Sequence, residues 1–258
     1  MTRLCGALAL AYVFAAAAEP LPIPREGLRS GIEFAGPDVR AMQADDVQNP
    51  AMLWVERGKA LWEAPPQATE RACAGCHGDV AASMKGVAAR YPVWDPKAAR
   101  VVDLEDRINA CRTQLQRAAA LPREAEDLNA LTAYVASASR EMPVAVSVDA
   151  ASRAALERGR AFYFQRRGQM NLSCAHCHDQ NVGKRLLSET ISQGHGNAFP
   201  AYRLEWQTVG SLQRRLRACL YGVRAEMPAE GSQALAELEL FLAWRANGLP
   251  LEAPGVRR

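Results

Sequence analysis

Apolar residues recur at helical spacing in two parallel series along this chain. Pro50 to Glu63 carries Trp54, Leu61 and Trp62; Ser152 to Gln165 carries Leu156, Phe162 and Tyr163. Leu104, Ile108, Cys111 and Leu115 step by four, three and four, as do Leu212, Leu216, Cys219 and Val223. That spacing is one stripe on an α-helix. A third pair follows, in which Leu128, Leu131, Tyr134 and Val135 match Leu235, Leu238, Phe241 and Leu242 at a constant offset. Each half therefore predicts three helices, and the duplication is itself an architectural signal. Arg57-Gly58-Lys59-Ala60 recurs as Arg158-Gly159-Arg160-Ala161, 101 residues later. Met142 to Ala150 shows no stripe and reads as a linker. Residues 19 to about 48 hold Pro20, Pro22, Pro24 and Gly36-Pro37 and predict an extended arm packed on the rest. Strand content is expected to be low.

The chain begins Met1-Thr2-Arg3, followed by an apolar run from Leu4 to Ala18 that closes on Ala16-Ala17-Ala18. A charged start, an apolar segment and small residues before a cut describe a signal peptide over 1–18, cleaved before Glu19. The run is shorter than the roughly 20 residues that span a bilayer, and no later segment is long and apolar enough, so no membrane anchor is expected. Cys5 leaves with the leader. Export to the periplasm follows, and that compartment permits disulfides. The formal charge is +3, or +2 without Arg3. No basic block interleaved with aromatics stands out, which argues against nucleic-acid binding.

Chemistry enters with two pentapeptides, Cys73-Ala74-Gly75-Cys76-His77 and Cys174-Ala175-His176-Cys177-His178, also 101 residues apart. Each pairs two thiols able to form thioethers with haem vinyl groups and a histidine placed to ligate the iron. Two covalent haem c groups are expected, held by Cys73, Cys76, Cys174 and Cys177, with His77 and His178 as axial ligands. The fold class expected is mainly α: two tandem cytochrome c-like domains with loop-rich connections, over 49–143 and 144–258, preceded by the arm at 19–48.

Two cysteines remain, Cys111 and Cys219, at the same place in their stripes, each preceded four residues earlier by an arginine, Arg107 or Arg215. On residue type alone three readings stay open: core residues, a disulfide between the two, or axial ligands opposite the histidines. Met142 and Met227 are the alternative ligands, but they do not occupy matching places in the halves. A thiolate donates strongly and lowers the haem potential; a methionine raises it. His176 reads as a surface residue, and His195, between Gly194 and Gly196, as a neighbour of solvent or a haem propionate.

The arm Ser30-Gly31-Ile32-Glu33-Phe34, the segment from Asn49-Pro50 to Trp62, both haem motifs, Asn109-Ala110-Cys111-Arg112 and Arg215-Leu216-Arg217-Ala218-Cys219, followed by Arg224-Ala225-Glu226, together resemble the SoxA family. These are di-haem subunits of the SoxAX cytochromes of bacterial sulfur oxidation. Some members lack the first haem; this sequence keeps its full motif, so both are expected. The resemblance implies L-cysteine S-thiosulfotransferase activity: thiosulfate is joined oxidatively to a cysteine of a SoxYZ-like carrier protein, and two electrons pass to a c-type cytochrome. It implies Cys219 as ligand of the second haem and active-site sulfur, carried in the family as a persulfide. It also implies Arg215 as active-site cation, Cys111 as ligand of the first haem, and a SoxX-like cytochrome c subunit as heterodimer partner. Guanidinium offers a planar fork of donors to the oxygens of a dianion, and Arg215 lies one helical turn before Cys219. The competing readings are a plain di-haem electron carrier, which predicts methionine ligation, and a di-haem peroxidase, which predicts a displaceable ligand.

Overall fold

The computed structural model describes residues 23–66 and 69–258; the expected leader and the start of the arm lie outside the described residues. Helix α1 (Pro37–Ala44) belongs to the arm. The first half follows with α2 (Met52–Glu63), α3 (Cys73–His77), α4 (Val80–Ser83), α5 (Leu104–Gln114) and α6 (Glu126–Ser137). The second half repeats the plan with α7 (Arg153–Phe164), α8 (Cys174–His178), α9 (Leu212–Gly222) and α10 (Gln233–Arg245). The mainly α class holds, and each anticipated helix ends within three residues of its apolar stripe.

The starts of α5 and α9 are set alike. The Asp103 carboxylate accepts from the backbone N–H of Asp106 at 2.7 Å, and the Ser211 hydroxyl accepts from that of Arg214 at 3.1 Å. Each N-cap satisfies a backbone donor that the helix itself cannot.

The core is built on two helix crossings, α2 on α6 and α7 on α10. Leu128 and Leu131 are fully buried at the first; Leu156, Tyr163, Leu235, Leu238 and Phe241 at the second. The repeated Arg-Gly-x-Ala motif has its reason here. A Cβ at Gly58 would sit 2.1 Å from the carbonyl oxygen of Ala130, and one at Gly159 would sit 2.0 Å from that of Glu237. The backbones meet where only glycine fits.

Short strands were not legible. Strand β1 (Val93–Asp95) pairs antiparallel with β2 (Arg100–Val102). The pair β3 (Arg185–Leu186) and β4 (Glu189–Thr190) forms a second hairpin. The pair β5 (Ala201–Arg203) and β6 (Thr208–Gly210) repeats the first hairpin 108 residues later, with β7 (Gly255–Arg257) added parallel to β5. Two or three residues are too few for an alternating pattern to register. Both repeated hairpins begin just after a cis proline, Pro92 or Pro200.

The arm is corrected: from residue 31 it is helical, not extended, with a 3-10 turn at Gly31–Phe34 before α1. It is nonetheless packed. The Arg29 N–H donates to Gln193 Oε1 at 2.8 Å, and Val256 N–H donates to Gln43 Oε1 at 3.0 Å. The linker is likewise fastened: Val144 and Val146 are buried, and Val144 N–H donates to Leu249 O at 2.8 Å.

Where the halves meet, a cavity of about 110 Å³ is lined by equivalent residues from both: Tyr91 and Phe199, Asp103 and Ser211, Glu105 and Gln213. Glu239 of α10 also faces it. Arg123 donates to Asp103 at 2.7 Å and to Glu105 at 3.0 Å, and also pairs with Asp106; Gln213 donates to Asp103 at 3.0 Å and to Glu239 at 3.1 Å. Burial opposes the charge of Arg123, but these carboxylates outweigh it and hold the guanidinium charged. One arginine cannot balance all of them. Burial and the neighbouring Asp103 push Glu105 up to about 8, and Glu239 is raised by burial and the same neighbour.

This packing has measurable consequences. Gly159→Ala is expected to lower stability by about 2 kcal/mol or more, the scale of overpacking, and the melting temperature by several degrees, as followed by thermal circular dichroism. A carboxyl with a raised folded-state pKa keeps a proton that the unfolded chain gives up. Stability is therefore expected to fall as pH rises from about 4.5 to about 8, and Glu105→Gln should flatten that decline in melts recorded across the window.

Candidate functional site

Tyr163 on α7 and Arg245 on α10 both reach the residue that follows the second pentapeptide. Tyr163 Oη donates to Asp179 Oδ1 at 2.9 Å, and Arg245 Nη2 donates to the same oxygen at 2.6 Å. Arg245 is 2% exposed, and its guanidinium stacks 4.4 Å above the Tyr163 ring. The α7–α10 crossing thus fixes the C-terminal end of α8, and with it His178. In the first half Trp62, the counterpart of Tyr163, anchors the end of α3 in the same way, since its indole N–H donates to Gly78 O at 2.9 Å.

His178 is held from the other side as well. Its Nδ1 bonds the Ser192 carbonyl at 2.8 Å. Gly194, at φ +73°, lies so close that a Cβ there would be 2.8 Å from His178 Cγ. A ring oriented through Nδ1 to a carbonyl presents Nε2 for a metal, as ligating histidines usually do.

Across from His178 stands Cys219 of α9. Burial pushes its thiol up, but a hydrogen bond with His178 and the charges of Arg215, His178 and Arg203 outweigh burial and bring it down to about 7. Cys219 also acts electrostatically on Cys174 and Cys177, so the four residues share one neighbourhood. His178, Cys219, Leu212 and Leu216 line a cavity of about 420 Å³. The apolar stripe of α9 therefore faces this cavity, whereas Gln213 and Leu220 are its buried residues. Two thiols on one helical turn, an oriented imidazole, an apolar wall and a facing sulfur fit a covalently attached haem held between His178 and Cys219.

The first half is more open. Cys73 is partly buried, Cys76 is exposed, and His77 packs 5.5 Å from the Trp62 ring. Cys111 of α5 is partly buried and acts electrostatically on Cys73 and Tyr91. Asn109 fastens α5 by bonding both the N–H and the carbonyl of Leu121, at 2.8 and 2.9 Å.

Six cysteines, Cys73, Cys76, Cys111, Cys174, Cys177 and Cys219, are unbridged, so the Cys111–Cys219 disulfide reading is overturned. Met142 packs against Gly86, and Met227 is 40% exposed; neither lines the cavity of His178 and Cys219. His195, read as a neighbour of solvent or a haem propionate, lines the cavity but is only 8% exposed, so the solvent reading is overturned. Burial and the charges of Arg245 and His178 push it down to about 3, so it is neutral. His176 is half-buried and bonds Ser173 at the start of α8.

Arg215 lines the cavity and lies 3.7 Å from Glu189. The stripes did not disclose Arg203 of β5 or Glu189 of β4, which also line it. Only the 108-residue repeat of the hairpins could have found Arg203, by showing that Asp95 stands at its place in the first half.

A family profile described as SoxA/TsdA, cytochrome c domain, matches residues 57–144. The L-cysteine S-thiosulfotransferase subunit SoxA of Pseudaminobacter salicylatoxidans is 40% identical over 95% of this chain and 85% of its own length. That of Rhodovulum sulfidophilum is 40% identical over 89% of this chain and 80% of its own. A chain of the crystal structure of SoxXA from P. pantotrophus superposes with a TM-score of 0.85 at 34% identity, covering 89% of this chain and 86% of that one.

Proposed function

Because the chain belongs to the SoxA family, we propose that it is the catalytic subunit of an L-cysteine S-thiosulfotransferase that uses Cys219 as its reactive sulfur. The observation that carries this reading is the apposition of Cys219 and His178 among cationic side chains at one cavity. The likeness to a SoxXA chain supports a heterodimer with a SoxX-like cytochrome c subunit.

The halves are read as tandem cytochrome c-like units over 49–143 and 144–258, each with one haem c. Cys73 and Cys76 would attach the first, and Cys174 and Cys177 the second. His77 and Cys111 would hold the iron of the first, and His178 and Cys219 that of the second. When bound, haem accepts electrons one at a time, which suits a two-electron sulfur oxidation only if more than one centre is near.

In the reaction, the Cys219 thiolate and the sulfane sulfur of thiosulfate form a sulfur–sulfur bond, and two electrons leave, in the end to a c-type cytochrome. The product on the chain is Cys219–S–S–SO3⁻. A carrier thiolate, from a SoxYZ-like protein, then attacks the sulfane sulfur. That bond forms as the bond to Cys219 breaks, which releases the Cys219 thiolate; the carrier thiol gives its proton to solvent. Arg215 orients the dianion through charge-assisted hydrogen bonds. His178 and its anchors hold the sulfur acceptor in place. The family resemblance also implies a persulfide form of Cys219, which lies outside the thiolate cycle above; the periplasm is the expected compartment. No helix among the described residues is long and apolar enough to cross a membrane.

A plain electron carrier would need neither a sulfur facing His178 nor arginines around it. Cys219→Ser is expected to abolish conjugation of thiosulfate to the carrier thiol, read as the mass gain of the carrier, while covalent haem stays attached. Full turnover by that variant would refute the covalent role.

A further inference from the structure

The duplicated hairpins carry opposite charges at one place. In the first half the last residue of β1 is Asp95; its carboxylate accepts from the backbone N–H groups of Ala98 at 3.1 Å and Lys97 at 2.8 Å. Its pKa is lowered by those bonds and by the charge of Arg107. Beside Cys111, therefore, the helix arginine is offset by a strand carboxylate. In the second half the same strand place is Arg203, and Arg107 is replaced by Arg215. Beside Cys219 two cations stand together, near enough that the charge of Arg215 disfavours that of Arg203.

Arg203 is placed at a cost. It is 3% exposed, and burial opposes its charge. It donates to Glu205 at 2.8 Å and lies 5.1 Å from the Trp206 ring centroid, yet its Nε is buried without a partner. A buried guanidinium with an unsatisfied donor on a cavity wall is costly unless it serves a ligand. Glu189 spans the two cations. One of its oxygens is 3.4 Å from Arg203, the other 3.7 Å from Arg215. The two guanidiniums thus bracket a space that holds one carboxylate, at lengths too long for strong bonds. A sulfonate presents pairs of oxygens at almost the same spacing as a carboxylate.

We propose that Arg203, together with Arg215, binds the sulfonate end of the substrate dianion, and that Glu189 is the resident counter-ion which the sulfonate displaces. The placement leaves the sulfane sulfur toward Cys219. It also distinguishes the reactive half from its duplicate, where Asp95 stands in the place of Arg203 and that place offers no second guanidinium to the anion. The inference rests on the reading of Cys219 as the reactive sulfur.

Thiosulfate binding to the haem-loaded heterodimer, without carrier protein, is measured by calorimetry beside steady-state kinetics. Arg203→Gln is expected to weaken binding and raise KM by about tenfold or more, the scale of a lost charge-assisted contact, with a smaller change in kcat. Arg203→Lys should fall between, since it keeps the charge and loses the fork. Glu189→Gln, at the cavity rim, should tighten binding severalfold. Wild-type affinity in Arg203→Gln, or in Arg203→Lys should the first variant fail to fold, overturns the proposal, as does unchanged or weakened binding in Glu189→Gln. Should Cys219→Ser retain turnover, the reactive-sulfur reading fails instead; an inactive Cys219→Ser beside wild-type binding in the Arg203 variants rejects only the role of Arg203.

Discussion

The approach of α7 to α10, close enough to exclude any side chain at Gly159, is the constraint on which the site depends. That approach brings Tyr163 and Arg245 to a single oxygen of Asp179. Asp179 follows His178, so the packing of the core sets the direction of the imidazole. Ser192 and Gly194 complete the hold from the loop side. The contact between the ring and Cys219 is then a consequence of helix packing, transmitted through one carboxylate. The first half uses the same device with Trp62 and the Gly78 carbonyl, a neutral and less buried version. That His77 is exposed while His178 is half-buried agrees with the difference.

Duplication supplies the frame, and departures from it supply function. Stripes, caps, crossings and hairpins recur, and the halves meet at a cavity lined by equivalent residues. Charge recurs only in part, as in Arg107 and Arg215. Asp95 becomes Arg203 beside the second cysteine, while Glu105 becomes Gln213 at the junction. The first change gathers cations where an anionic substrate is proposed to bind. The second removes one carboxylate, yet Asp103, Glu105, Asp106 and Glu239 still outnumber Arg123, so a proton is retained between the two halves.

Much of this was legible in the residues. The six principal helices, the haem motifs and the matched cysteines follow from spacing alone, because helical stripes and the CxxCH pentapeptide are local signals. The family resemblance carried the assignment of Cys219 and Arg215 further than spacing could. What remained hidden is what depends on tertiary contact. Strands of three residues leave no periodicity, so the hairpin that delivers Arg203 was invisible. Glu189 sits in a segment whose sequence gives no hint that it faces the cavity of Cys219. The arm read as extended because of its prolines, yet Pro37 opens a helix, where its missing N–H costs nothing. Gly58 and Gly159 were noted as a repeat, but the carbonyls that press on them are about 70 to 80 residues away in the chain.

The central proposal is that Cys219, through its sulfur, and His178 together would hold the iron of the second haem. Iron K-edge absorption of the haem-loaded protein, compared with that of Cys219→Ala, tests it most directly. A short iron–sulfur shell that diminishes in the variant is the expected result. An unchanged iron environment, or a longer shell of the thioether kind in both proteins, contradicts it.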